Sequence, residues 1–266
     1  MKKNAILGAV VSIILIIGLG CSTVRDSVMK GATSGIGKAV SERAEQAVYK
    51  RVAPKASLPA AGTPGWNQFM TLQAQVIFAY SFSAGGLWIS PVDYKPGEWT
   101  KFEFKVQDEP SVVLEKAFLK RTDDGKEWWR VSWTTAEEGT WVYEALIATE
   151  ESQLLRMRAR DVDGNEGEIP VTGGEVIYMA PTEVTQESIQ GATVGKENIT
   201  TPAGTFSADH VVYMAVTGEG EIEWWVTDKV PGGVVKYQLK TKEEGVIWSS
   251  TLKEKGTNAT TILKSF

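Results

Sequence analysis

The chain has 266 residues, 42% of them hydrophobic, which is enough apolar material for one large or two small domains. Its formal charge of -5 argues against nucleic acid as a partner, since that binding rests on Lys and Arg neutralising phosphates. One cysteine and one histidine exclude a disulfide framework and any His-based metal cluster or catalytic pair.

Met1-Lys2-Lys3-Asn4 precedes an uncharged apolar run over 5–17, and Gly18-Leu19-Gly20-Cys21 follows it. A basic start, an apolar run within the roughly 7–15 residues of a secretory h-region and a small-residue boundary describe a cleaved leader. The run falls short of the about 20 residues of a membrane span. An uncleaved anchor helix and a buried thiol at Cys21 are the two other readings of the same segment. Gly18-Leu19-Gly20-Cys21 resembles a bacterial lipoprotein lipobox, although Gly18 stands where that motif prefers Leu. The resemblance implies cleavage between Gly20 and Cys21, a diacylglycerol and palmitate-type acyl anchor on the Cys21 sulfur and amine, and a membrane as partner. Ser22 is not the aspartate that retains such proteins at an inner membrane, so the implied address is the outer membrane, facing the periplasm.

Val24, Val28, Ala32, Ile36, Val40, Ala44 and Val48 recur every fourth position, which predicts a thin amphipathic tether helix over 21–53. Within it, Gly31-Ala32-Thr33-Ser34-Gly35-Ile36-Gly37 looks like a dinucleotide-binding turn. No strand precedes it and no βαβ alternation follows, so it predicts no cofactor. Residues 54–65, rich in Pro, Ala and Gly, read as a linker.

From Trp66 onward the period shortens to that of strands. Strands are predicted over 99–106, 127–134, 154–160, 207–217, 222–227, 234–241 and 246–252, and 68–82 fits either a helix or a long strand. Turns are predicted at Asp123-Asp124-Gly125, Asp163-Gly164-Asn165, Gly218-Glu219-Gly220, Pro231-Gly232-Gly233, Glu244-Gly245 and Lys255-Gly256. Asp161-Val162-Asp163-Gly164-Asn165 imitates the start of a calcium loop, but Glu166 and Thr172 replace its Gly and Glu, leaving a hairpin turn as the better reading. The fold class is mainly β: an antiparallel curved sheet, half-barrel or sandwich, over 66–266, preceded by one N-terminal amphipathic helix.

Several strands are apolar on both faces, as in Val211-Val212-Tyr213-Met214, and Trp128-Trp129 and Trp224-Trp225 send one ring to each side. Either a second layer covers them or they enclose an apolar groove. Ten tryptophans suit such a groove, and Trp99, Trp129, Tyr213, Trp224, Trp225 and Tyr237 are its candidate lining. Trp225, Val235, Tyr237 and Leu239 are expected to share one apolar surface. His210 reads as structural, and Glu137-Glu138 and Glu243-Glu244 as solvated turn residues, so the inventory predicts no enzyme.

Gly195-Lys196-Glu197-Asn198-Ile199-Thr200-Thr201-Pro202-Ala203-Gly204-Thr205-Phe206, then Glu223-Trp224-Trp225-Val226 and Val230-Pro231-Gly232-Gly233-Val234-Val235-Lys236, resemble bacterial envelope proteins of the DUF3108-like group. Tyr94-Lys95-Pro96-Gly97-Glu98-Trp99-Thr100-Lys101-Phe102 is similar to the opening such proteins show. The group is similar in architecture to the LolA/LolB lipoprotein-carrier half-barrels. The resemblance implies a sheet wrapped round a helix or an apolar groove, a lipid or lipoprotein ligand or an envelope protein partner, and no catalytic residues.

Overall fold

The computed structural model describes residues 58–82, 93–107, 110–148, 153–171, 186–214, 220–243 and 245–266. Gly20, Cys21, the tether helix and the glycine-rich motif at 31–37 lie outside the described residues. The first element, α1 (Pro64–Phe82), resolves the ambiguous segment as a helix and begins inside the expected linker. Thr63 starts it: its hydroxyl accepts from the Trp66 N–H and its carbonyl from the Asn67 N–H, with Pro64 in the first helical position. Trp66, Met70, Ala74, Ile77, Phe78, Ser81 and Phe82 are buried, a stripe at helical spacing.

Eleven strands follow: β1 (Trp99–Val106), β2 (Val112–Arg121), β3 (Glu127–Thr135), β4 (Gly139–Ala148), β5 (Gln153–Arg160), β6 (Glu166–Ile169), then β7 (Thr193–Thr201), β8 (Gly204–Met214), β9 (Gly220–Val226), β10 (Val234–Thr241) and β11 (Gly245–Gly256). A short helix, α2 (Gln186–Ala192), precedes β7. They form one curved, unclosed antiparallel sheet in the order β6-β5-β4-β3-β2-β1-β11-β10-β9-β8-β7. The chain thus enters the sheet at its middle, meanders to one edge, crosses to the other and meanders back to pair β11 with β1. A single sheet, not a sandwich, realises the predicted class.

The expected turns at 123–125, 163–165 and 231–233 join β2 to β3, β5 to β6 and β9 to β10, and Gly204 takes φ 130° between β7 and β8. Lys255-Gly256 is not a turn. Gly256 ends β11 opposite Trp99, whose indole lies 2.7 Å from where a Cβ would stand, so the bare glycine admits the ring.

The inner face of the sheet is the one α1 packs on. Over β2 to β6, Trp66, Met70, Ile77 and Phe78 meet Phe118, Trp129, Val131, Trp141, Tyr143 and Met157 in one core. Over β8 to β11, a second core joins Val211, Ile222, Trp224, Tyr237, Leu239 and Trp248 with Ile189 of α2 and Tyr80 of α1. Full burial of such side chains contributes roughly 1.5–3 kcal/mol each. The outer face of β3 is covered in turn: residues 257–266 run across it, burying Leu263 completely and setting Phe266 5.5 Å from Trp128. On β9, Trp225 packs with Phe206, Ala208 and Val230, whereas on β8 Met214 stays 63% exposed.

Candidate functional site

The two inner cores meet over β1 and β11, under the last turn of α1. There Tyr80, Phe82, Tyr94, Phe104, Lys116 and Tyr237 border a cleft of about 60 Å³, with Thr100, Ser250 and Gly232 also on its wall. Parity builds it: Thr100, Phe102 and Phe104 of β1 sit opposite Lys116, Leu114 and Val112 of β2. Tyr94 leans in from the segment before β1, its hydroxyl 2.5 Å from the Thr100 hydroxyl. Gly232, at φ 75°, leaves room for the Tyr94 ring, which lies 2.6 Å from the place of a Cβ.

The Lys116 ammonium stands 4.9 Å from the Phe82 and Tyr94 ring centres and 5.8 Å from that of Trp129. Part of the lysine surface remains in solvent, yet its enclosure lowers the ammonium pKa from 10.5 to about 8. Burial raises the Tyr94 phenol and pushes Tyr237 up to about 12. A positively charged group ringed by aromatic faces is suited to the polar end of an amphipathic molecule. Sites for whole ligands occupy roughly 300–1,000 Å³, so this cleft as shaped does not take an acyl chain. A larger depression of about 330 Å³, at the ends of β1 and β11 beside Val106 and Trp248, is open to solvent.

The six predicted lining residues do not converge. Tyr237 borders the cleft, and Trp129 adjoins it through Tyr94, whose ring centre is 5.3 Å away. Trp224 and Tyr213 lie on the same face, Trp224 fully buried in the second core and Tyr213 partly buried at its border. Trp99 and Trp225 point to the outer face. Trp99 packs with Ala117, Leu119 and Trp128. Trp225 stacks on His210 at 4.6 Å and donates to Glu197 at 3.0 Å. A register shift between Val234 and Lys236 explains why Trp225 does not share a surface with Tyr237 and Leu239: Tyr237 sits opposite Trp224 instead.

His210 is placed by these contacts, its Nδ1 3.0 Å from Glu197 and its ring flat on Trp225. Asp161, first in the calcium-like sequence, is 1% exposed and already engaged. It accepts from the backbone of Asp163 and Asn165, from the Asn165 amide and from the Trp66 indole at 2.9 Å. That turn is therefore a clasp between β5–β6 and the start of α1. Among the described residues, no group of three or more His, Cys, Asp or Glu side chains is placed to hold a metal, and Glu137 and Glu243 are exposed.

The sheet edges differ. β6 is four residues long, and its Glu166 and Glu168 pair with Arg160 and Arg156. β7 runs nine residues without proline, exposes Val194, Gly195, Lys196, Glu197 and Asn198, and has β8 as its one ladder partner among the described residues. No helix of the described residues is long and apolar enough to cross a membrane.

No family model and no curated protein matches the chain. Among solved structures, a chain of the Pseudomonas aeruginosa MucA/MucB complex aligns at TM-score 0.41 and 9% identity, over 71% of this chain and 58% of its own length. The chain thus spans less than two thirds of that neighbour. A Bacteroides fragilis protein with a YmcC-like fold aligns at TM-score 0.33 and 11% identity, covering 62% of this chain and 98% of that one. A DUF1329 family protein from Desulfovibrio piger aligns at 0.31 and 10%, covering 73% and 92%. Likeness of this degree carries no inference about function.

Proposed function

We propose that the chain is a non-enzymatic lipoprotein of a bacterial envelope, anchored through lipid on Cys21 at the outer membrane and facing the periplasm. Its β domain, in this reading, is a scaffold that takes up a strand of another envelope protein. The observation that carries the reading is β7, among the described residues a long, exposed edge with few charges and no proline, opposite a short, charged edge at β6. Unpaired edges of that kind add strands from partners, and main-chain hydrogen bonds supply the affinity. The leader supports the envelope setting, as does the motif resemblance to the DUF3108-like group and the LolA/LolB half-barrels. Photocrosslinking in cells from position 198 on β7, compared with exposed Asp123 in the β2–β3 turn, tests the edge. A discrete protein adduct from 198 and none from 123 is expected; equal labelling from both removes the edge as the site.

A second reading, uptake of a lipid or lipidated peptide, is favoured by the aromatic cleft around Lys116. The cleft volume makes it the weaker of the two. Native mass spectrometry of protein made without its leader and Cys21, hence with no anchor of its own, and purified without detergent decides it, since a carrier retains bound lipid and a solid scaffold does not.

A further inference from the structure

The outer face of β3 to β5 is read by residues 260–266 through side chains rather than a strand ladder. Glu144, on β4, the third strand from the β6 edge, is 0% exposed although it is a carboxylate on the outer face. All of its described donors come from this segment. The Thr261 and Ser265 hydroxyls donate at 2.6 Å each, the Ile262 N–H at 2.7 Å and the Leu263 N–H at 3.4 Å. Two arginines of the same face read carbonyls: Arg130 donates to Thr260 at 2.6 Å and Arg160 to Ile262 at 3.1 Å. Leu263 is the buried apolar anchor, while Ile262 and Phe266 stay 42% and 51% exposed. Asn258 and Lys264 hold positive φ, so the segment is bent to fit rather than carried on as β11.

Two hydroxyls four positions apart, two backbone amides on one carboxylate, two carbonyls on arginines and one apolar plug make a recognition pattern. From it we infer that this face is a peptide-binding site, specific for a bent Thr-x-Leu-x-Ser segment whose Ser265 N–H closes back on the Thr261 hydroxyl at 3.1 Å, and that residues 261–265 are its resident ligand in cis. The same pattern supplied by another chain competes for it. Charge-assisted hydrogen bonds to a buried carboxylate give the selectivity, because a segment lacking the hydroxyls leaves that carboxylate undersatisfied.

The test uses the full chain with a protease site inserted between Gly256 and Thr257, cut after folding. A fluorescent peptide matching residues 257–266 is then added. The cut protein should keep its near-UV circular dichroism and take up the labelled peptide in exchange for its own segment. In the peptide, Thr261→Val with Ser265→Ala should weaken uptake by about 10-fold or more, and Lys264→Ala should leave it within about 3-fold. Loss of the native spectrum on cutting, no uptake, or equal uptake of the Thr261→Val, Ser265→Ala peptide would each overturn the inference.

Discussion

Three rings surround the Lys116 ammonium, and enclosure brings its pKa down from 10.5 to about 8. The sign of its effect on stability follows. Below pH 8 the lysine is protonated in both the folded and unfolded chains and contributes no slope. Between pH 8 and 10.5 the unfolded chain holds the proton that the folded chain has released, so this site adds stability as pH rises. The unfolding free energy of the parent minus that of Lys116→Met should therefore increase from pH 8 to pH 10 in urea titrations; a flat difference would contradict it. Tyr237, pushed up to about 12, acts with the opposite sign above pH 10 and cancels in this comparison. Lys116 was legible in principle, because it stands between Leu114 and Phe118 on one parity, and a charge set between apolar residues of the same parity is a signal. Trp225 was not legible, because the shift beside Val234 moved the tryptophans of β9 relative to β10, and single-strand alternation carries no register between strands.

At the scale of elements, turn chemistry was the most readable feature. Gly232 and Gly125 both sit at positive φ, 75° and 83°, but Gly232 also faces the Tyr94 ring, whereas Gly125 faces open space. Gly125→Ala should cost about 1 kcal/mol from backbone strain alone, and Gly232→Ala about 2–4 kcal/mol, since the ring must also move. Thermal and urea unfolding of the two variants checks the ordering; equal costs would mean the Tyr94 ring gives way freely. The helix over 64–82 escaped a firm reading because apolar residues lie around more than one of its faces, hiding the period. β2 and β4 escaped because charged and apolar residues are mixed along VVLEKAFLKR and GTWVYEALIA. Glu115 there pairs with Arg130 and Glu144 with the segment over 261–265, so the outer face is polar yet covered. Such cover depends on distant chain and leaves no local trace.

For the whole molecule, β6 and β7 are consecutive strands yet lie at opposite edges, while β1 and β11, first and last, are neighbours. Every other strand pairing is a hairpin between sequence neighbours and closes a short loop. The β1–β11 seam closes nearly the entire domain as one loop, and closure entropy grows with that length. Loop-closure entropy therefore favours two meanders that organise separately and a seam that zips afterwards. Leu252, fully buried at the seam opposite Phe102, then belongs to late contacts, and Val131, fully buried within the first meander, to early ones. Stopped-flow measurements should show Leu252→Ala chiefly speeding unfolding and Val131→Ala chiefly slowing folding; the reverse partition would place the seam in the nucleus. The cleft around Lys116 straddles that seam, bordered by Thr100 and Phe104 on one side and Tyr237 and Ser250 on the other. On that order of events it forms only at the last step of assembly, so a chain arrested with its two halves formed but unjoined would be a folded protein in most of its hydrogen bonds and would have no cleft at all.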